Sequence, residues 1–276
     1  DDIIFTIKSA LTYNTMNTYY EERITTLLGS NLNPTLVEKI AKEINSSFYN
    51  NLICCYASLT DISNDDDLDY YYRNCFNDIN QKKDVQHYSY SVIKYNRGLL
   101  IIFTTNTEDL KDGLMAFFGK TGFNISAFVI GLSKPHYHLN NLRKAIEESI
   151  YTYASCLIDH IQFQDFDSIG LDKLLMPMRN ELWVTEYYNS FFEKITEYDT
   201  VNNTDFFDTL LEYIEYNEDL QLVAKKRFQH VNTIRYRIEK VKIILNIENN
   251  LDSSYQLFVF VRLYQIYKYL AEFTDL

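Results

Sequence analysis

The chain has 276 residues, 46% of them hydrophobic, with only 3 Pro and 7 Gly. This composition excludes a disordered chain, and so few turn-forming residues argue against an all-β fold, leaving helices with some sheet. The formal net charge of −12 would oppose nucleic-acid binding if it were spread evenly along the chain.

In chain order, residues 1–48 read as an N-terminal helical segment. Ile24, Leu27 and Leu28 sit at helical spacing before Gly29-Ser30. Asn33-Pro34 then opens a second helix, with Pro at its first position and Leu36, Val37, Ile40, Ala41 and Ile44 on one stripe. The run Asn51–Leu59 (NLICCYASL) suits a buried strand, with one thiol of the Cys54-Cys55 pair facing the core. Residues 60–84 are polar and acidic, with Asp65-Asp66-Asp67 in an expected loop leading to a helix around residues 70–76. Residues 88–95 and 99–104 flank Asn96-Arg97-Gly98 and predict a β-hairpin. A helix at 107–118, a strand at 124–132 and, after Pro135, a helix at 139–158 follow. This order predicts a sheet with antiparallel pairs, covered by helices, over residues 49–162.

From about residue 165 the periodicity is helical only, with helices expected at 171–198, 204–216, 219–228, 232–246 and 254–273. The fold class is therefore α+β. A mixed-sheet domain is followed by a helical connector (163–200) and an all-α region (201–276).

Charge is concentrated in this last region. Residues 220–245 carry seven basic side chains (Lys225, Lys226, Arg227, Arg235, Arg237, Lys240, Lys242) against Glu239 alone, a net of +6, which leaves −18 for the rest. A local basic patch is what neutralising phosphates requires. The same residues have the form of a helix-turn-helix. Ala224 is the small residue of the first helix, flanked by Leu220, Val223 and Phe228, and the turn falls at 229–231. In the second helix Ile234, Ile238, Val241 and Leu245 fall within a wedge of about 60°. Thr233, Tyr236, Arg237 and Lys240 gather on another side. One face is thus held by the domain, and the other is offered to base edges and phosphates. Asn232 or Thr233 would cap the helix start. Charge and period alone fit an ordinary amphipathic helix hairpin with a solvated basic face equally well.

The stretch 208–245 resembles the C-terminal helix-turn-helix of the PucR family of bacterial regulators, a module similar to that of the nucleoid protein Fis. The matching residues are Thr209-Leu210 with Tyr213, then Ala224-Lys225-Lys226, then His230-x-Asn232-Thr233-Ile234-Arg235-Tyr236-Arg237-Ile238-Glu239-Lys240. Three positions of the turn depart from the family: Arg227 is usually apolar, Gln229 usually Ile or Val, and Val231 usually Arg. Upstream, 167–199 resembles the family's helical connector, ending at Glu197-Tyr198-Asp199, and residues near 50–160 resemble its degenerate GGDEF-like sensor or dimerisation domain. The resemblance implies a DNA-binding transcriptional regulator of catabolic or metabolic genes. Thr233, Tyr236, Arg237 and Lys240 would read the operator, Lys225, Asn232 and Arg235 would hold phosphates, and His230 would add a contact.

Enzyme chemistry is not expected. A cyclase of the GGDEF type needs a carboxylate and glycines at the hairpin. Here the hairpin reads Tyr95-Asn96-Arg97-Gly98-Leu99, with no acid to hold a metal ion. His136 and His138 have no Cys or carboxylate at ligand spacing and are expected in an exposed loop. Trp183 with Tyr187 and Tyr188 is expected to be packing. No catalytic residue, metal or cofactor is expected. The expected partners are double-stranded operator DNA, a second copy of the chain joined through 255–269 or the middle domain, and an unknown small-molecule effector. No apolar run reaches the ~20 residues of a membrane span. Nothing near the start has the pattern of a signal peptide, and a cytoplasmic chain is expected. Two other readings stand beside this one. The first is an interaction protein that does not bind DNA, whose basic helix meets an acidic partner, and the second is a nucleotide-binding sensor.

Overall fold

The computed structural model describes residues 2–29, 32–60, 88–121, 124–247, 251–274 and 276. The acidic loop expected at Asp65-Asp66-Asp67 and the helix expected near 70–76 lie outside these. The chain is α+β and divides into two compact units, Asp1–Lys173 with Tyr269–Leu276, and Leu174–Lys268.

The first unit begins with α1 (Asp2–Gly29) and α2 (Pro34–Ile44). Asn33 caps α2 by accepting the Leu36 N–H at 2.9 Å, with Pro34 at the first helical position. A five-stranded sheet follows: β1 (Asn51–Leu59), β2 (Tyr88–Tyr95), β3 (Gly98–Thr105), β4 (Phe128–Leu132) and β5 (Phe163–Asp165). The order across it is β2-β3-β1-β4-β5, antiparallel except for the parallel pair β4–β5. Helices α3 (Leu110–Thr121) and α4 (Leu142–Asp159) belong to the same unit.

β1 and β3 lie at the centre and are covered on both faces, which is why their sequences read as continuous apolar runs. On one face Ile53, Cys55, Ala57, Ile101 and Phe103 pack with Leu110, Leu114, Phe117 and Phe118 of α3. Against β4, α4 approaches so closely that a Cβ on Gly131 would stand 2.1 Å from the backbone nitrogen of Tyr153. The expectation of one core-facing thiol is therefore corrected: Cys54 and Cys55 are both buried, one on each covered face. Burial pushes both thiols up from their ordinary values, Cys54 with further repulsion from Cys55 and Glu148.

The hairpin forms as expected, with Tyr95 opposite Gly98 and Asn96 in the left-handed region at φ 50°. Tyr56 lies on Gly98, where an added Cβ would be 2.4 Å from its ring, and its hydroxyl donates to the Tyr95 carbonyl at 2.9 Å. Phe273 packs on both Tyr56 and Tyr95.

Two expected boundaries move. The helical connector does not begin at residue 163, because β5 pairs with β4 and carries the sheet unit further. The region 201–276 is not one body, because Tyr269–Leu276 belongs with the sheet unit. His136 is also corrected. It is buried, its Nε2 lies 2.9 Å from Oε2 of buried Glu148, and Lys134 donates its backbone N–H to the same oxygen. No group of three or more potential metal ligands occurs among the described residues.

The second unit takes up most of α5 (Asp172–Met178), then α6 (Leu182–Asn202), α7 (Phe206–Glu215), α8 (Leu220–Lys226), α9 (Val231–Leu245) and most of α10 (Leu251–Leu270). The single helix expected at 171–198 is broken. Pro177 withholds a backbone donor in α5, and Glu181 is extended at φ −67°, ψ 139° before α6 starts. The core joins Phe191 and Ile195 of α6, Phe206 and Leu210 of α7, Val241 and Leu245 of α9, and Phe260 and Val261 of α10. The connector helix is thus part of this core. Tyr187 and Tyr188 pack as expected, but Trp183 does not, being 75% exposed. Among the described residues no helix is long and apolar enough to cross a membrane.

Candidate nucleic-acid interface

α8 and α9 are the two helices of the expected helix-turn-helix. Val223 and Ala224 of α8 pack against Ile234 and Ile238 of α9, with Tyr213, Tyr216, Leu220 and Val231 around them. Ala224 is at the contact because a larger side chain there would hold the two backbones apart. Further along α9, Val241 and Leu245 enter the larger core. The helix is therefore anchored along its whole length by one stripe, and its remaining faces are set by that anchoring.

The termini are fixed by named groups. Asp219 caps α8, its Oδ1 accepting from the N–H groups of Gln221 (2.8 Å) and Leu222 (3.1 Å). α8 ends in a Schellman motif: Gln229 N–H reaches Ala224 O at 2.9 Å and Phe228 N–H reaches Lys225 O at 3.3 Å. Such a motif places one residue in the left-handed region, and here it is Phe228, at φ 52°. The expectation that Phe228 flanks Ala224 inside the domain is corrected, since its ring is 98% exposed. The cap of α9 is corrected too. His230 fills it, with Nδ1 accepting the Asn232 N–H at 3.2 Å. Asn232 and Thr233 lie inside the helix and their side chains are exposed.

The structure separates the expected contact residues. Asn232, Thr233, Arg235 and Tyr236 are exposed, Tyr236 at 60%. Arg235 donates to Asn232 Oδ1 at 3.1 Å, which aligns the two on one side of the first turns. Lys225 is exposed in the last turn of α8. Glu239 is also exposed, one turn beyond Arg235, so the cationic part of the face is confined to the start of α9.

Arg237 is not on that face. Its side chain is only 16% exposed; Nη1 donates to Asp205 Oδ1 at 2.5 Å and to Thr209 Oγ1 at 2.9 Å, and its guanidinium lies over the Phe206 ring. Lys240 is half-buried, with its ammonium 5.9 Å from the centroid of the Tyr198 ring. Both point toward α6 and α7, the flank of the helix rather than its free side. Lys226 lies over Tyr216, with Glu215 3.6 Å away.

Asp205 and Glu212 carry no sequence signal of their own, yet they organise this flank. Asp205 accepts from both Arg227 and Arg237, and Glu212 lies 3.0 Å from Arg227. Burial pushes the Asp205 carboxyl up, but Arg237 and Arg227 outweigh it and hold it below the usual carboxylate range. Burial likewise works against the charge of Arg227, and the hydrogen bond and charge of Glu212, together with Asp205, more than restore it. The unusual Arg227 is thereby accommodated, and Val231 packs with the α8–α9 contact as an apolar residue would. Asp199 ties the neighbouring turn, accepting the N–H groups of Phe206 (3.0 Å) and Phe207 (2.9 Å) at the start of α7.

Comparison with known proteins gives the same segment. The PucR C-terminal helix-turn-helix domain matches residues 206–260. A curated relative, the DNA-binding transcriptional activator AdeR of Bacillus subtilis (strain 168), is 23% identical over 99 residues, 36% of this chain. That match spans 24% of the length of AdeR. Among solved structures, the Regulator of Polyketide Synthase Expression from Bifidobacterium adolescentis is similar at 14% identity, with a TM-score of 0.40 over 90% of this chain and 97% of that one.

Proposed function

From the PucR-type helix-turn-helix that this chain carries at residues 206–260, we propose that the protein is a transcriptional regulator that binds operator DNA through the start of α9. The observation that carries this reading is the division of α9. Ile234, Ile238, Val241 and Leu245 are buried, while Asn232, Thr233, Arg235 and Tyr236 stand free at its N-terminal end. Side chains placed there meet base edges when such a helix enters the major groove. Thr233 and Tyr236 read bases, and Asn232, Arg235 and Lys225 hold phosphates. His230 acts mainly through its cap, and Arg237 and Lys240 act by fixing α9 on α6 and α7.

One recognition helix covers few base pairs, so the protein works as a homodimer on paired half-sites. The exposed Tyr255 and Phe258 of α10 favour that helix as part of the contact. The sheet unit is a GGDEF-like sensor without catalysis. In support, the hairpin Tyr95–Leu99 offers no carboxylate, and Tyr56 occupies the space over Gly98. A cleft of about 640 Å³ between α1, α2 and β2, lined by Tyr20, Lys42, Glu43, Asn45 and Tyr90, is the site offered to a small effector. Its working compartment is the cytoplasm, where operator DNA is.

The test is selection of duplexes from a random-sequence pool by the whole chain, followed by titration at several salt concentrations. The reading predicts a pseudo-palindromic sequence. Arg235→Ala should weaken binding to all duplexes alike and lower the salt slope by about one. Recovery of no preferred duplex would sink it.

A further inference from the structure

Phe228 is held where an aromatic residue is costly on two counts. Its backbone is left-handed at φ 52°, a conformation that disfavours any residue with a Cβ by roughly 1–2 kcal/mol and that glycine adopts freely. Its ring is 98% exposed, so the domain recovers nothing from packing it. The Schellman motif that ends α8 needs only the backbone of this position, and its two hydrogen bonds run from the N–H groups of Phe228 and Gln229. Nothing inside the domain therefore asks for a phenyl ring.

The surroundings indicate what the ring meets. Its chain neighbours are Lys225, Lys226, Arg227, Gln229 and His230. Lys226 faces Glu215 and Arg227 faces Asp205 and Glu212, while Lys225 and His230 are exposed on either side of the ring's position in the chain. A protein-binding aromatic ordinarily sits within a wider apolar patch depleted of charge. This one sits between the lysines ending α8 and the cap of α9, two residues from His230 and four from Asn232. An apolar projection beside the exposed Lys225 matches a duplex, whose phosphates alternate with deoxyribose faces and thymine methyl groups.

We propose that Phe228 is a DNA-contacting residue, its ring lying against the apolar surface of the duplex, deoxyribose or thymine methyl, beside the phosphates met by Lys225. The left-handed turn is what aims the ring outward. This rests on the DNA-binding reading above and adds a contact that charge and hydrogen bonding do not supply.

The experiment uses the whole chain and the duplex it selects from the random pool. Phe228→Gly keeps the turn and removes the ring. Its expected effect is an affinity about tenfold weaker, an unchanged slope of log K against log salt, and a thermal midpoint equal to or above the parent's. Phe228→Asn, whose residue also tolerates the left-handed region, should behave likewise, and Phe228→Tyr should bind within about threefold of the parent. Deoxyuridine in place of thymidine separates the two surfaces: the penalty of Phe228→Gly shrinks if the ring meets a methyl and persists if it meets the sugar. Affinity of Phe228→Gly within about twofold of the parent would overturn the proposal, leaving the ring to a protein partner. So would loss of affinity in both Gly and Asn variants together with a lowered midpoint, which would make the residue structural. If the parent selects no duplex, the DNA-binding reading itself fails and this contact with it. If the parent binds and Phe228→Gly binds equally, only the contact fails.

Discussion

Asp205 receives the guanidinium groups of Arg227 and Arg237, from either side of the turn, and so joins the end of α8 to the middle of α9 through one carboxylate. Its side chain is 43% exposed, so solvent screens part of the interaction. Asp205→Asn should destabilise the unit by about 1–2 kcal/mol, the range for charged hydrogen bonds after that discount. The pH dependence has a definite sign. The folded carboxyl lies below its ordinary value, so the stabilisation is complete above the usual carboxylate range. It is lost as pH falls through that range toward the lowered folded value. Denaturant titrations of parent and Asp205→Asn should therefore differ near neutrality and converge in acid; a constant gap would refute the assignment. Arg237→Ala should lower the midpoint as well as the affinity, whereas Arg235→Ala, on the free side, should lower only the affinity. Thr233, Tyr236, Arg237 and Lys240 share one side of α9 by angle, and angle alone does not reveal which neighbouring helix covers a flank.

At the scale of elements, local patterns predicted well wherever the partner of a stripe was near in sequence. The helix start at Asn33-Pro34, the hairpin around Asn96 and the α8–α9 pair all follow from short-range spacing. Removing the α8 cap by Asp219→Ala should cost about 1 kcal/mol and loosen the first helix of the pair, measurable as faster amide exchange in α8. Gly98→Ala tests a different kind of constraint. A Cβ there collides with the Tyr56 ring, so the sheet unit should lose about 1–3 kcal/mol while selected-duplex affinity at low temperature stays unchanged. An unaffected midpoint would mean that Tyr56 moves aside without cost. Elements closed by distant partners were misjudged. β5 is too short to show a period and exists because β4 offers its edge. The helix expected at 171–198 divides at the turn after Pro177, where Glu181 is extended.

For the whole molecule, the proposed function requires a chain of net charge −12 to meet a polyanion. Seven basic residues in residues 220–245 would give a salt slope near −6 per protomer if all were free. Arg227, Arg237 and Lys226 are engaged by Asp205, Glu212 and Glu215. Lys240 lies against Tyr198, and with Lys225 and Arg235 as the cations assigned to phosphates the slope should accordingly be about −2 per protomer. A steeper measured slope would mean that these ion pairs open on DNA. With so little long-range attraction to spare, the proposed regulator would draw specificity from hydrogen bonds and apolar contacts at the start of α9, and affinity from two copies binding together. Sedimentation of the protein with its selected duplex should show two chains per duplex.

The sequence by itself determined that residues 220–245 form two short helices with Ala224 at their contact and one apolar stripe on the second, because helical period is local. It also located the basic segment and the apolar strands at 51–59 and 99–104. Only the tertiary structure decided which of those cations are free. Asp205 and Glu212 come from the preceding helix and its cap, and Tyr198 from the helix before that, so the face left for a ligand is set by packing between separated segments. The same holds for Phe228. Its apolar side chain belongs in the core by composition, and only the left-handed turn closing α8 places it in solvent.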